Sequence, residues 1–208
     1  MSEHVEELNA GAPTDPRPAA AVVLLRRGGR HDSRGIEVLL GRRTPAARFM
    51  PGVWVFPGGA VDPTGTEPSE SDYRSTALRE LEEEVSVRLA EPAELVEFSR
   101  WITPVEVKIR FDTRFYLALA PAHCAPVPDG EEIVDASWFS PRDALERHTA
   151  GDMLLVFPTI RQLEALSRFP SAEEAIAVAR SEPVEPILPK VDVSGAEPRI
   201  LLPGDAGY

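Results

Sequence analysis

The chain has 208 residues, of which 43% are hydrophobic and 27% charged, and this is typical of one globular domain with a sizeable core. Its formal net charge of -12 argues against nonspecific binding to nucleic acid or to an anionic membrane, although not against a small phosphorylated substrate. The single cysteine, Cys124, excludes an internal disulfide framework, and no apolar run reaches transmembrane length, so we expect a cytoplasmic protein.

The chain divides by composition into three parts. Residues 1–18 are acidic and lack the apolar core of a signal peptide, so they predict a disordered N-terminal tail. Residues 19–181 predict the folded domain. Residues 182–208 are rich in proline and predict an extended C-terminal arm, with a short strand near 199–202.

The domain opens with two predicted strands, 19–26 and 36–43, which are rich in aliphatic residues and flank a glycine-containing turn, so they predict a hairpin with a long loop. A helix follows, capped by Ser69 or Ser71 and ending near Ser86. The later periodicity predicts strands at 95–102, 114–120 and 133–139, and helices at 141–147, 158–168 and 171–180. This mixture without regular alternation predicts an α+β fold packed in layers.

The first predicted helix carries four glutamates within residues 80–84. At about 100° per residue, Glu80, Glu83 and Glu84 share one narrow arc, while Glu82 points away from them. Like charges at this spacing repel, and a hard cation such as Mg²⁺ would offset the repulsion. Arg79 lies one turn before Glu83 and can pair with it. The alternative is an ordinary acidic stripe on a solvated surface.

The approach to this helix contains the paired glycines Gly58 and Gly59, which follow an aromatic, β-prone run. Paired glycines allow backbone N–H groups to come close to an anion. Alone, the Pro-Gly-Gly sequence predicts a turn. Followed by a helix rich in carboxylates, it indicates a site with phosphate on one side and metal on the other.

The stretch RELEEEV at 79–85, with Val87, resembles the second half of the Nudix box, G-x5-E-x7-R-E-U-x-E-E-x-G-U, where U is aliphatic. Two features depart from it. Ser86 stands at the late glycine, and the segment between Gly59 and Arg79 is about six residues longer than the box requires. The first box glutamate therefore has no certain equivalent, although Glu67 or Glu70 could substitute for it.

The resemblance implies an α/β/α sandwich with a mixed β-sheet, and hydrolysis of a diphosphate linked to another group. It also implies Mg²⁺ or Mn²⁺ held by four residues, Glu80, Glu83, Glu84 and Gly59. Arg79 would orient a box carboxylate, and one glutamate must accept the proton of the attacking water.

Candidates for that proton acceptor lie in two places. In some relatives it is a glutamate of the box, here Glu83 or Glu84. In others it comes from a later loop, where Glu131 and Glu132 precede the predicted strand 133–139. The alternative for these two residues is a simple acidic turn.

A second resemblance covers the segment upstream of the glycines. LLGRRT at 39–44, then Arg48, Gly52 and FPGG at 56–59, is similar to the signature of coenzyme A diphosphatases, with all spacings matching and Gly41 as the main departure. Arg43 and Arg48 are then candidates for binding substrate phosphate together with Gly58 and Gly59, the alternative being ordinary surface arginines.

The substrate implied by this second resemblance is coenzyme A or acyl-coenzyme A, cleaved to 3′,5′-ADP and a phosphopantetheine. The alternatives are NADH, ADP-ribose or an oxidised nucleoside triphosphate, or a Nudix module that binds a ligand without catalysis. Homodimers are common in the superfamily, so a second copy is a further expected partner, which the C-terminal arm could reach.

Overall fold

The aliphatic run near the N-terminus forms the central strand β1 (Arg17–Arg27), most of which is buried. On one side β1 pairs parallel with β6 (Phe111–Leu119). On the other it pairs antiparallel with β4 (Gly58–Ala60) at its start and with β2 (Ile36–Arg43) at its end. A strand enclosed on both faces favours such a continuous apolar sequence. The computed structural model describes residues 9, 11–28, 35–47, 49–62, 65–90, 92–194 and 198–208.

The main sheet contains eight strands within the described residues, in the order β3-β2-β1-β6-β5-β8, with β4 joined to β1 and β7 joined to β2. The strands not yet located are β3 (Trp54–Val55), β5 (Val96–Ile102), β7 (Ile133–Phe139) and β8 (Pro186–Ile187). The β1–β6 and β5–β8 pairs are parallel and the others antiparallel, so the sheet is mixed.

Helices cover both faces of the sheet. On one face lies α1 (Glu70–Val85). On the other lie α2 (Pro141–Ala150), α3 (Phe157–Leu166) and α4 (Ala172–Ser181). Alternate β1 residues supply two separate cores, because successive strand side chains point to opposite faces: Val22 packs on the α1 side and Val23 on the other. The predicted α+β fold, an α/β/α sandwich with a mixed sheet, is confirmed.

Helix α1 begins with a capping box. The Ser69 side chain accepts a hydrogen bond from the backbone N–H of Asp72, and the Asp72 carboxylate accepts one from the backbone N–H of Ser69. Ser69 is therefore the N-cap, rather than Ser71. Glu70, one of the two residues proposed to replace the missing box glutamate, instead pairs with Arg74 and Arg114.

Helix α1 ends at Ser86, which takes the left-handed conformation, with φ 56° and ψ 33°. Its N–H donates to Glu82 O, and the N–H of Val87 donates to Leu81 O. Helices commonly end in this way, but glycine usually occupies the left-handed position, because a Cβ there crowds the backbone. Ser86 stands where the box has its late glycine, and it therefore adopts the left-handed conformation at an energetic cost.

The predicted helices and longer strands all occur in the structure, within a few residues of their expected bounds. The sequence pattern missed β3, β4 and β8, because strands of two or three residues are too short to show periodicity. The arm contains more than the one short strand expected: β9 (Lys190–Asp192) and β10 (Arg199–Leu201) form a hairpin.

The described parts of the predicted N-terminal tail and C-terminal arm both contact the domain. Arg17 and Pro18, placed in the predicted tail, begin β1 and pair with β6. In the arm, β8 extends the sheet beyond β5, and Leu202 packs against the core on the side of α4. The rest of the predicted tail lies partly outside the described residues. No helix among those residues has both the length and the apolar character needed to cross a membrane.

Replacing Ser86 with glycine should stabilise the protein by about 1 kcal/mol, because glycine adopts the left-handed conformation without the Cβ cost. Urea denaturation of the wild type and of Ser86→Gly measures this difference. The reciprocal control is Gly151→Ser at the end of α2, where φ is 84° and no atom lies within 4 Å of an added Cβ. That control should lose a similar amount, and an unchanged Ser86→Gly midpoint would contradict the assigned strain.

Candidate active site

The paired glycines are held against α1 by strand pairing. Gly58 and Gly59 lie in β4, whose register with β1 sets Gly58 opposite Ala21 and Gly59 opposite Ala20. A Cβ added to Gly58 would lie 2.4 Å from Ala20 O, and one added to Gly59 would lie 2.3 Å from Glu80 Oε1. Only glycine therefore allows β1, β4 and the Glu80 carboxylate to approach this closely.

Glu84 is the most deeply buried glutamate of the helix, with 4% of its surface exposed. Its Oε2 accepts a hydrogen bond of 3.0 Å from the backbone N–H of Gly58. Burial raises the pKa of this carboxyl to about 8, while the Gly58 hydrogen bond opposes the rise and the charge of Glu80 adds to it. Without a cation, the site therefore favours the protonated form of Glu84 at neutral pH.

Glu80 lies beside Glu84 in the same environment, with 16% of its side chain exposed. Burial raises the pKa of Glu80, although Arg79 opposes this through its charge and through a hydrogen bond of 2.7 Å from Nη2 to Oε1. The charges of Glu83 and Glu132 raise this pKa further. Two partly desolvated carboxylates that repel each other create a local demand for positive charge.

Glu83 is more exposed than its two neighbours, with 58% of its side chain accessible. Its Oε2 accepts a hydrogen bond of 2.6 Å from Arg79 Nη1, as the i,i+4 spacing predicts. Arg79 thus binds Glu80 and Glu83 with different nitrogens and lies between them. Glu82, predicted to stand apart, is exposed and pairs with Arg88.

The two partly desolvated carboxylates of this site, those of Glu80 and Glu84, offer oxygen ligands that suit a hard divalent cation. The described residues contain no group of three or more His, Cys, Asp or Glu side chains placed to hold a metal ion. Mg²⁺ needs fewer, because it is often bound by one or two carboxylates together with water and substrate phosphate. Glu80 and Glu84 supply two such carboxylates, and the ligand roles expected for Glu80, Glu83, Glu84 and Gly59 stay predictions.

The loop between β6 and β7 contacts the C-terminal end of α1. The N–H of Val127 donates to Val85 O at 2.9 Å, and the N–H of Asp129 donates to Glu84 O at 3.0 Å. The last carbonyls of a helix have no partners within the helix, and these two bonds supply them. The loop that leads to Glu131 and Glu132 is thereby attached to the backbone of Glu84 itself.

The structure distinguishes the two loop glutamates, although both are exposed. After burial, Glu132 is among the larger contributors to the raised pKa of both Glu80 and Glu84, and Glu131 is not among those larger contributors. The carboxylate of Glu132 makes no hydrogen bond or ion pair with another side chain in the described part of the chain. Glu132 therefore lies close enough to act electrostatically on the carboxylate pair, and its side chain has no partner among the described residues.

Arg43 lies at the end of β2, opposite Ile133, where the β2–β7 pairing shifts register. Its Nε donates to Phe49 O at 3.2 Å, and its other guanidinium nitrogens make no hydrogen bond within the described ranges. The positive charge of Arg43 lowers the pKa of Glu84, opposing the larger effect of burial. Arg43 is thus close enough to act electrostatically at the site. Arg48, the other predicted phosphate-binding residue, lies outside the described residues.

Sequence reasoning missed Asp129, which joins the loop to both α1 and β7. Its carboxylate accepts backbone hydrogen bonds from Glu132 and Ile133. The Pro-Asp-Gly sequence at 128–130 is a recognisable turn signal. That signal predicts the turn but not the contact with Glu84, because the contact depends on how the loop meets the helix.

Comparison with known proteins gives a family match over most of the domain. The family model described as NUDIX domain matches residues 15–157. Among solved structures, the crystal structure of a NUDIX hydrolase from Alicyclobacillus acidocaldarius is 31% identical and superposes with a TM-score of 0.67. The match covers 79% of this chain and 96% of that one.

Three curated relatives carry different names. A Caenorhabditis elegans protein assigned as nudix hydrolase 7 is 27% identical over 73% of this chain, which spans 61% of that protein. Human acyl-coenzyme A diphosphatase NUDT19 is 23% identical over 94% of this chain and 81% of its own length. The NAD-capped RNA hydrolase NudC of Stutzerimonas stutzeri is 36% identical over 51% of this chain and 33% of its own length.

Replacing Glu84 with glutamine should make the metal-free protein more stable than the wild type at alkaline pH. The pKa of Glu84 is raised from 4.5 in the unfolded chain to about 8 in the folded protein. The stability that the protonated Glu84 gives the wild type is therefore fully present below pH 4.5 and is lost as the pH rises to about 8. The gain should be on the order of a few kcal/mol above pH 8 and small near pH 4.5.

Urea denaturation at both pH values, in the presence of a chelator, measures this difference. Glu82→Gln is the matched control, since Glu82 lies on the same helix but is exposed. Equal gains for Glu84→Gln at the two pH values would contradict the assigned burial effect.

Proposed function

The chain belongs to the Nudix hydrolase family, and on that premise we propose that it hydrolyses the diphosphate of coenzyme A or acyl-coenzyme A. The products would be 3′,5′-ADP and phosphopantetheine or its acyl form. The reaction type is supported above all by one observation: the buried Glu84 carboxylate, beside Glu80, accepts the backbone N–H of Gly58. The choice of substrate is supported by the similarity to the relative named acyl-coenzyme A diphosphatase.

Nudix hydrolases generally use divalent metal ions, and we assign Mg²⁺ or Mn²⁺ to Glu80 and Glu84, with Glu83 and Gly59 as further ligands. When bound, such an ion neutralises phosphate charge and lowers the pKa of coordinated water. Arg79 orients Glu80 and Glu83 by bonding one guanidinium nitrogen to each. The backbone N–H of Gly58 orients Glu84 by donating a hydrogen bond to its carboxylate.

Glu132 is our candidate for the residue that accepts the proton of the attacking water. The carboxylates of Glu80 and Glu84 are committed to the cation in this scheme, and Glu83 pairs with Arg79. Glu132 is exposed to water, is free of side-chain partners among the described residues, and acts electrostatically on both Glu80 and Glu84. A general base needs this combination of access and proximity.

Substrate phosphate would be bound by Arg43, with Gly58 and Gly59 bringing backbone close to the anion. The guanidinium of Arg43 retains donors for phosphate oxygens after its bond to Phe49 O. Coenzyme A carries a further phosphate besides its diphosphate, which a second arginine would bind. The spacing of the signature assigns this binding to Arg48.

A second candidate is the same hydrolysis on NADH, ADP-ribose or another nucleotide. It is favoured by the similarity to NudC, which is named for NAD-capped RNA and matches half of this chain. A third candidate, a module that binds such a ligand without cleaving it, is favoured by Ser86 and by the lengthened segment before α1. The intact Arg79-Glu80 and Glu83-Glu84 pairs favour hydrolysis over this third function.

Purified protein incubated with Mg²⁺ and coenzyme A should release 3′,5′-ADP and phosphopantetheine, because the water attack cleaves the diphosphate. Chromatography with mass detection identifies both products, with acyl-coenzyme A, NADH and ADP-ribose tested in parallel. A chelator should abolish turnover. Hydrolysis of NADH or ADP-ribose without that of either coenzyme A substrate would overturn the substrate assignment, and binding without cleavage of any of them would support the ligand-binding module.

Glu132→Gln should lower kcat with the best substrate by about a hundredfold or more, since it removes the proposed proton acceptor without changing side-chain size. Glu131→Gln is the matched control, because Glu131 is the exposed neighbour and, unlike Glu132, is not among the larger contributors to the pKa of Glu80 or Glu84. Steady-state kinetics of both variants measure the difference. Equal effects of the two substitutions would assign the base elsewhere, with Glu84 as the next candidate.

A further inference from the structure

We propose that Asp129 is a positioning residue, which fixes the carboxylate of Glu132 relative to that of Glu84 by bonding to the backbone of both. This inference rests on the proposed function, in which Glu132 accepts a proton and Glu84 binds the cation. Asp129 itself touches neither substrate nor metal in this scheme.

Three hydrogen bonds carry the inference. The N–H of Asp129 donates to Glu84 O at 3.0 Å. Its carboxylate accepts two bonds on the other side of the loop, from the N–H of Glu132 to Oδ2 at 3.0 Å and from the N–H of Ile133 to Oδ1 at 2.8 Å. One residue therefore joins the end of α1, which carries Glu84, to the start of β7, which Glu132 directly precedes.

Further backbone hydrogen bonds hold the loop besides those of Val127 and Asp129 to the end of α1. Gly130, with φ 80°, donates its N–H to Ile133 O at 2.9 Å and closes the turn. Thr44, next to Arg43 on β2, donates its N–H to Glu132 O at 2.8 Å. The peptide N–H of Glu132 is thus bonded to Asp129 and its carbonyl oxygen to Thr44, directly after β2, so the base is also connected to the strand that carries Arg43.

The position of Glu132 depends on its backbone, because its carboxylate has no side-chain partner among the described residues. Because only the backbone positions the Glu132 carboxylate, a change in the conformation of the turn moves that carboxylate. Misplacement of a reacting group by about 1 Å can cost a hundredfold in rate. Loss of the Asp129 carboxylate should therefore slow the chemical step while leaving the binding groups on β2 and β4 in place.

If Asp129 bound the metal or acted only by its charge, its substitutions would change activity differently from those of a residue that positions Glu132. Both carboxylate oxygens of Asp129 already accept backbone N–H groups. Asparagine suits this kind of turn and keeps one oxygen acceptor, so it can hold one of the two N–H groups, but it has no charge and is a weaker ligand for a hard cation. Asp129→Asn should therefore retain part of the activity that Asp129→Ala loses, if the residue acts by positioning.

The experiment compares Asp129→Ala, Asp129→Asn, Glu132→Gln and the double variant Asp129→Ala/Glu132→Gln in the full chain with Mg²⁺. Asp129→Ala should lower kcat about ten- to a hundredfold with KM within about threefold of the wild type. In the Glu132→Gln background the same change should have little further effect, because the residue that Asp129 positions is already inactive. Asp205→Ala is the matched control, since Asp205 accepts the N–H of Leu202 in a turn of the C-terminal arm.

Amide hydrogen exchange followed by NMR provides a readout that does not require activity. The N–H groups of Glu132 and Ile133 should exchange faster in Asp129→Ala, while most other amides and the unfolding midpoint stay near the wild-type values. If the wild type hydrolyses no diphosphate, the proposed function fails while the exchange data still test the anchor.

Any of four results would overturn the positioning role. These are unchanged exchange at Glu132, faster exchange with an unaltered kcat, multiplicative effects in the double variant, and an asparagine variant no more active than alanine. A loss of activity in Asp205→Ala equal to that in Asp129→Ala would also contradict it, by showing a general effect of losing a turn carboxylate.

Discussion

The hydrogen bond from the Gly58 backbone N–H to the buried Glu84 carboxylate connects the sheet to the helix at the point where the site forms. Burying a carboxylate is unfavourable unless donors or a cation compensate for the lost water. One backbone donor does so only in part, and the pKa of Glu84 remains raised by burial. The site therefore combines a fixed geometry with an unmet demand for positive charge, and this combination suits the binding of a cation.

The same helix end organises the opposite side of the site. Its last turn needs partners for its free carbonyl groups, and the loop before β7 provides them through Val127 and Asp129. A structural requirement of any helix thus brings a second acidic segment, with Glu132, to Glu84. Nudix hydrolases can differ in which glutamate accepts the proton, and here both candidate segments are joined through one backbone contact.

Local rules predicted much of this site, and each success has a short-range cause. The i,i+4 spacing predicted the Arg79–Glu83 pair, and the serine before an acidic first turn predicted the start of α1. The same helical arithmetic placed Glu80, Glu83 and Glu84 on one arc, but it did not indicate their unequal burial. Glu84 is enclosed and Glu83 is mostly exposed, because β4 covers only one side of that arc.

By itself, the sequence determined the order of the main elements, the acidic face of α1 and the glycines opposite it, because these depend on periodicity and on backbone freedom within a few residues. Only the tertiary structure decided that Glu80 packs on Gly59, that Glu132 lies close enough to act on the carboxylate pair, and that Asp129 joins the backbones of Glu84 and Glu132. These contacts cross between elements that are distant in the chain. Their geometry follows from strand register and helix packing, which no local pattern specifies.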